Sequence, residues 1–145
     1  MKPRAAWPVL AKKAKEKSLE ATVAVVKSRE RIVHLQQSIE RMQKLHADYV
    51  ARSLEAEKNL TTMSEAMNHR GFLQQISTLI SRVEIDLNHA KQELEINKNA
   101  LQLAEKKRIQ METLHEQDVL RIQEAAAKRE QREMDAAGVM MFNLK

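Results

Sequence analysis

Two short spacings in this sequence place a carboxylate and an imidazole on one face of a helix. They are Glu112 with His115 and Asp86 with His89, each separated by three positions. Such pairs hold metal in di-iron helical bundles, where further carboxylates from two more helices complete the site. Because the chain supplies only two helices, we interpret both as ordinary surface pairs. The sequence predicts no metal site, no cofactor and no catalytic residue.

Composition excludes several other kinds of protein. The chain has 145 residues, of which 31% are charged and 3% aromatic, with two glycines, two prolines and no cysteine. Sheet proteins need frequent turn residues, so this profile favours long helices. Without cysteine there is no disulfide, thiolate nucleophile or Cys-based metal centre. No apolar run approaches the ~18 residues that span a bilayer, and the start lacks a signal-peptide core, so the sequence predicts a cytoplasmic protein.

The excess of positive charge lies at the N-terminal end. The formal net charge is +5, and residues 1–31 hold nine basic and three acidic side chains. This asymmetry indicates an acidic partner or an anionic surface. No aromatic residue interleaves with Lys12, Lys13, Lys15 and Lys17 to stack on bases, so we expect no specific binding of nucleic acid.

Apolar and small residues recur in alternating steps of three and four, which is the seam of a coiled coil. The first seam is Ala11, Ala14, Ser18, Ala21, Val25, Ser28, Ile32, Leu35, Ile39, Met42, His46, Tyr49, Ser53 and Ala56. The second is Leu73, Ile76, Ile80, Val83, Leu87, Ala90, Leu94, Asn97, Leu101 and Ala104, weakening through Arg108, Met111, His115 and Asp118 before Ile122 and Ala125. The pattern predicts an all-α protein: two long helices in an antiparallel coiled coil, an α-helical hairpin.

The position of the turn follows from two competing signals. Gly71 could end the first helix in a left-handed conformation. Residues 62–65, Thr-Met-Ser-Glu, instead resemble a capping box that begins a helix. We prefer the second, which predicts a single domain over residues 1–145 with helix 1 at about 9–58, a turn at about 59–63, helix 2 at about 64–136 and a flexible tail at 137–145. Facing residues then have numbers that add to about 122.

Several apolar residues fall outside both seams. The tail contains Val139, Met140, Met141 and Phe142, which the hairpin does not bury, and exposed apolar clusters usually bind a partner. Other such residues are Leu10, Leu19, Val23, Val26, Leu45 and Leu54. A generic coiled-coil scaffold or a homodimerisation protein is therefore an alternative that the periodicity supports equally well.

Two segments resemble a specific family. Residues 68–79, NHRGFLQQISTL, open helix 2, and residues 128–137, KREQREMDAA, lie near its end. Together, in a chain of this length, they resemble the FliJ family of bacterial flagellar type III export. The segment after Asp135 departs from the family's usual sequence, so a stalk protein of an injectisome-type secretion system is a second alternative.

The resemblance implies a non-enzymatic coiled-coil stalk, similar to the rotor stalk of rotary ATPases. It implies three partners: the hexameric export ATPase, the cytoplasmic part of the export gate, and export chaperones. It also implies a cytoplasmic protein associated peripherally with the membrane through the export apparatus. The residues matching the gate-binding surface are Phe72, Ile76, Leu79 and Val83, although Ile76 and Val83 are also seam residues. For the ATPase we expect Lys12, Lys13 and Lys15 with Arg129, Arg132 and Asp135.

Overall fold

The structure, a computed structural model, describes residues 6–58 and 62–144. Within these ranges it contains two α-helices, α1 (Ala6–Lys58) and α2 (Met63–Leu144), and no β-strand. The two helices pack against each other as an α-helical hairpin. The all-α hairpin predicted from the seam pattern is thus confirmed. Residues 59–61 of the predicted turn lie outside the described residues.

Helix α1 begins earlier than the expected start near residue 9. It starts at Ala6 and includes Trp7 and Pro8. A proline is compatible with the first turn of a helix, because the N–H that it lacks would have no intrahelical partner there. No proline follows Pro8, so nothing interrupts the helix up to Lys58.

Helix α2 begins directly after the predicted capping residue, Thr62. The Glu65 backbone N–H donates to the Thr62 hydroxyl oxygen at 3.3 Å, and the Ala66 N–H donates to the Thr62 carbonyl at 3.1 Å. These bonds satisfy two of the free N–H groups at the helix start. The helix extends to Leu144, beyond the expected end near residue 136. Half of the residues from 137 to 144 are good helix formers, namely Ala137, Met140, Met141 and Leu144.

The predicted seams form the interior. Every seam residue whose side chain is described is buried or partly buried, including the polar positions Arg108, His115 and Asp118; Ala56 lies outside the described side chains. The buried apolar residues are small or medium-sized: Ala14, Val25, Ile39, Ile76 and Ala90. Two helices therefore share a narrow core of the coiled-coil type.

The chain divides into two compact units, which we name here. The terminal unit consists of Met1–Thr22 and Ala100–Lys145, and the hairpin unit is Val23–Asn99. In the hairpin unit, Asn97 donates a hydrogen bond to the Ser28 hydroxyl at 2.7 Å, and the Ser77 hydroxyl lies 3.3 Å from His46 Nε2. In the terminal unit the Ser18 hydroxyl donates to the Glu105 carboxylate. The residue numbers of these pairs add to between 123 and 125, close to the antiparallel register expected from the seam.

Neither helix, over the described residues, has an apolar stretch of the length that crossing a lipid bilayer requires.

Candidate functional site

The four residues expected to bind the export gate differ in their exposure to solvent. Ile76 is 4% exposed and belongs to the core of the hairpin unit, and Val83 is partly buried in the seam. Phe72 is 40% exposed and Leu79 is 49% exposed. Of these four residues, Phe72 and Leu79 present exposed apolar surface to a partner, whereas Ile76 and Val83 are largely covered within the hairpin unit.

Phe72 is supported from beneath by an aromatic contact. Its ring centroid lies 4.5 Å from that of Tyr49, with the ring planes tilted by 50°. Tyr49 also contacts the His69 ring at 5.2 Å, and the Ser53 hydroxyl lies 3.4 Å from His69 Nδ1. Such tilted aromatic pairs contribute roughly 0.5–1.5 kcal/mol beyond their buried area. The partly exposed Phe72 is therefore held in place by the helix behind it.

Leu79 lies in a shallow surface groove on α2. The groove has a volume of about 580 Å³ and is lined by Gly71, Gln74, Gln75, Thr78, Leu79 and Arg82. A Cβ built on Gly71 meets no heavy atom within 4 Å, so no neighbour requires glycine at that position. This surface combines one apolar side chain with amide, hydroxyl and guanidinium groups, which suits a protein partner better than a small apolar ligand.

The residues expected to bind the ATPase are all exposed in the terminal unit. Lys12, Lys13 and Lys15 lie on the outer surface of α1. No hydrogen bond or ion pair involving these three lysines occurs among the described residues. Their ammonium groups are presented to solvent, where they can attract an acidic surface.

The C-terminal members of the same set lie on a stretch of α2 in which every residue from 126 to 144 is exposed. Arg129 pairs with Glu133 at 3.4 Å, and the Gln131 side chain donates to Asp135 at 3.1 Å. Arg129 lies about 12 Å along the helix beyond Arg121, the last residue lining a groove around Trp7. The structure records no contact of these residues with Lys12, Lys13 or Lys15 over the described ranges, so it provides two separate charged surfaces.

A polar network also lies within the terminal unit. Arg108 donates to the Glu105 carboxylate at 2.6 Å and to the Glu112 carboxylate at 3.0 Å. The hydrogen bond from Arg108, followed by that from Ser18, lowers the pKa of Glu105, whereas the bonds to Glu105 and Glu112 raise the pKa of Arg108. The charged forms are favoured because each ionised group has an oppositely charged hydrogen-bonding partner. This network fills the stretch where the apolar seam weakens.

A groove of about 210 Å³ lies in the terminal unit, near the start of α1. Trp7 lines it together with Leu114, Gln117, Asp118 and Arg121, and Arg121 donates to Asp118 at 2.7 Å. The sequence interpretation did not single out this arrangement. The sequence signal that could have revealed it is Asp118 itself, an aspartate at a seam position. Because an unpaired carboxylate is costly to bury, such a residue indicates a nearby basic partner.

The pairs that resembled metal ligands do not form a larger site. Glu112 is engaged by Arg108, and the neighbouring His115 has a buried Nδ1 atom without a hydrogen-bond partner in the structure. Within residues 6–58 and 62–144, no group of three or more histidine, aspartate or glutamate side chains is arranged to hold a metal ion.

Comparison with known families places the chain as a whole. The profile of the family described as Flagellar FliJ protein matches residues 8–145, nearly the whole chain. The chain belongs to the flagellar FliJ family. The comparison with curated proteins gave no match. The comparison with solved structures also gave none.

Membership confirms the family resemblance carried by residues 68–79 and 128–137. A FliJ-family chain is a component of the flagellar protein export apparatus and serves flagellum assembly. The helical hairpin agrees with the coiled-coil character of this FliJ-family chain. Because the match is to the flagellar family, it favours flagellar export over an injectisome-type system.

Proposed function

We propose that this FliJ-family chain is a non-enzymatic stalk that binds the hexameric export ATPase and the cytoplasmic part of the export gate. The observation that carries the proposal is the exposed end of α2, where residues 126–144 remain helical without packing on α1. A helix that buries nothing in its own chain has its side chains available for another protein. The same family role would place the protein in the cytoplasm, peripheral to the membrane through the export apparatus.

For the ATPase we propose two contact surfaces in the terminal unit. Lys12, Lys13 and Lys15 supply positive charge from α1, and Arg129, Arg132 and Asp135 supply mixed charge from α2. Exposed charges of this kind raise association rates and set the orientation of binding more than they add affinity. Acidic residues in the ATPase ring would be the complementary groups.

For the gate we propose the surface formed by Phe72 and Leu79 in the hairpin unit. Phe72 is positioned by Tyr49, and Leu79 lies in the groove that ends at Arg82. Partly exposed aromatic and aliphatic anchors beside polar groups are typical of the centre of a protein interface. Ile76 and Val83 would support these anchors from the seam rather than contact the gate. Binding of export chaperones is a further part of the proposed role, to which no described surface is assigned.

One experiment with two variants tests both surfaces. A triple variant, Lys12→Glu, Lys13→Glu and Lys15→Glu, should weaken ATPase binding by about tenfold or more at physiological salt and leave gate binding unchanged. A double variant, Phe72→Ala with Leu79→Ala, should weaken gate binding by a similar factor and leave ATPase binding unchanged. Both affinities are measured with the purified ATPase and the purified cytoplasmic domain of the gate, so each variant is the control for the other.

A matched charge control is available on α1. Arg41, Lys44 and Arg52 are exposed in the hairpin unit, and changing all three to glutamate alters the net charge by the same amount. Loss of ATPase affinity in this control as well would show a general charge effect and contradict the lysine surface. The single variant Leu79→Ala keeps the contact between Phe72 and Tyr49, so a loss of gate affinity in it cannot come from disturbing that contact. Unchanged gate affinity in that single variant and in the double variant would contradict the gate surface.

A further inference from the structure

Three valines form an exposed apolar line on the outer face of α1 in the hairpin unit. Val23, Val26 and Val33 are 51%, 47% and 49% exposed. A groove of about 280 Å³ lies along the last two of these valines, lined by Val26, Arg29, Glu30, Val33 and His34. We call Val23, Val26, Glu30 and Val33 the valine stripe.

The spacing of the valine stripe is that of a second coiled-coil seam. Its members follow steps of three, four and three, which place them on one line of the helix. The buried residues Val25 and Ser28 belong to the seam that faces α2. Because the valine stripe is offset from this seam, α1 carries one apolar line toward α2 and another toward solvent.

Folding of the hairpin does not explain the exposed valines. Valine is a poorer helix former than alanine, lysine or glutamate, at roughly half a kcal/mol per residue in an exposed helix. Elsewhere on the surface of α1 those better helix formers are common, as in residues 11–17. Three exposed valines on one line therefore destabilise the isolated helix slightly without adding to its core.

Stiff side chains make this line suitable for binding. Valine has one strongly preferred rotamer in a helix, so little side-chain entropy is lost when a partner covers it. The other exposed large apolar residues of α1 in the hairpin unit are Leu45 and Leu54. Leu45 is at position b of the heptad that runs through the stripe, and Leu54 is at position d but three heptads beyond Val33, with Glu40 and Ala47 at the d positions between them. Val23, Val26 and Val33 are therefore the exposed large apolar residues that lie close together on one line in this part of α1.

The charges beside the stripe indicate which partner helix fits. In a heptad with Val23 and Glu30 at position a, and Val26 and Val33 at position d, Lys27 is at e and Arg29 is at g. These positions flank the seam of a coiled coil and pair with charged residues of the partner helix. Both flanks are basic, so an acidic partner is attracted and a basic partner is repelled.

The stripe suits a helix better than a lipid surface. Glu30 lies in the middle of the apolar line, and a carboxylate there would have to enter the headgroup region of an anionic membrane. Interfacial helices instead bury a broad apolar face with an uninterrupted set of large side chains. A coiled coil accommodates one polar seam position, which then selects a polar or basic residue opposite it.

We propose that the valine stripe binds an amphipathic helix of a partner protein that has an apolar seam and glutamate or aspartate on its flanks. The interaction would extend the coiled coil from two helices to three at this part of the hairpin unit. It does not depend on the assigned ATPase and gate surfaces, which lie on other residues.

The test uses two synthetic helical peptides of roughly four heptads, long enough to fold in contact with the protein. Both have leucine at positions a and d, with one lysine at a central a position to face Glu30. One has glutamate and the other lysine at positions e and g, and like charges on each peptide oppose its self-association. Fluorescence anisotropy of labelled peptide should show that the full chain binds the acidic peptide at least about tenfold more tightly than the basic one.

Variants assign that binding to the stripe. Val26→Glu with Val33→Glu should weaken binding of the acidic peptide by about tenfold or more, whereas Leu45→Glu with Ile85→Glu, two comparably exposed residues of the hairpin unit outside the stripe, should not. Lys27→Glu with Arg29→Glu should reverse the preference in favour of the basic peptide. Circular dichroism checks that all three variants remain helical; since every substituted residue is exposed, we expect unchanged helicity.

Five outcomes would overturn the proposal. Absence of binding to both peptides, or equal binding of both, removes the charge argument. Unchanged binding in the valine double variant shows that another surface binds the peptide. A dimer in sedimentation velocity that this variant dissociates assigns the stripe to a second copy of the chain. Binding to phosphatidylserine vesicles that the same variant abolishes assigns it to a membrane.

Discussion

At the scale of single residues, the polar seam of the terminal unit depends on one carboxylate. Glu105 accepts hydrogen bonds from Arg108 of its own helix and from Ser18 of α1. Arg108 also donates to Glu112, so one guanidinium joins two carboxylates. Because the side chains of Glu105 and Arg108 are both partly exposed, water screens part of this interaction. The network therefore satisfies polar groups in the seam and contributes modestly to stability.

The Glu105→Gln variant should reveal this contribution through its pH dependence. The folded protein lowers the pKa of Glu105, mainly through the hydrogen bond from Arg108, so ionised Glu105 stabilises the fold. This stabilisation is present above the ordinary glutamate pKa of 4.5 and is lost as pH falls below it toward the lowered value. Thermal melting should find the variant less stable than the parent at neutral pH, with the difference shrinking at pH below about 4.5.

Glu116→Gln is the matched control for that measurement, since Glu116 is exposed on the same helix. We expect no comparable difference for it at neutral pH. A Glu105→Gln difference that persisted unchanged into strong acid would mean that the carboxylate charge is not the cause.

At the scale of the helices, α2 tolerates two glycines where better helix formers would fit. Gly71 and Gly138 both lie inside the helix, and an added Cβ at either position meets no heavy atom within 4 Å. Glycine has more conformational freedom to lose on folding than any other residue, so it destabilises a helix interior. The position of Gly71 beside Phe72 and in the groove with Leu79 makes it part of the proposed gate surface.

Gly71→Ala should therefore raise the free energy of unfolding by about 1 kcal/mol, measured by urea denaturation. Gly138→Ala should give a smaller increase, because helix ends fray and Gly138 is close to Leu144. A lower stability for Gly71→Ala would mean that the added methyl group meets a neighbour after all. Weaker gate binding together with higher stability would indicate that the gate approaches the backbone at Gly71.

At the scale of the whole molecule, stability and binding are assigned to different parts of the chain. The seam residues of both units are buried or partly buried, whereas residues 126–144 are exposed throughout. Positive charge is concentrated in the first 31 residues, close in sequence to the start of α1. As a component of flagellar export, the protein would be expected to keep its core within the hairpin and to use its exposed surfaces for partners.

Removing residues 126–145 should separate the two roles. The truncated protein should unfold at nearly the same free energy as the full chain, within about 0.5 kcal/mol, because exposed residues contribute little. Its affinity for the export ATPase should fall if Arg129, Arg132 and Asp135 form a contact surface. Trp7→Ala provides a contrast, since it removes a partly buried ring from the groove near Arg121 and should lower the melting temperature. Marked destabilisation by the truncation would show that the final stretch of α2 packs on the rest.

Local sequence patterns were enough to predict the two helices and their seams, whereas the family was predicted from the resemblance of residues 68–79 and 128–137 to known members. The periodic spacing of Val25, Ile39 and Ile76 indicates buried positions because side chains three and four apart share a helix face. Thr62 indicates the start of α2 through a hydrogen bond to a backbone only three residues away. Each of these inferences depends on short separations along the chain, which periodicity and capping describe well.

Contacts between distant segments required the folded structure. Ser18 meets Glu105 and Ser28 meets Asn97 across separations of 87 and 69 residues, and a slip of one heptad would have preserved the apolar pattern while pairing other residues. Periodicity had already separated Ile76, a seam residue, from Leu79, and the structure leaves the first buried and the second exposed. It could not decide which residues meet across the two helices, because every shift by one heptad keeps the same face buried, and only the folded structure selects one of these pairings.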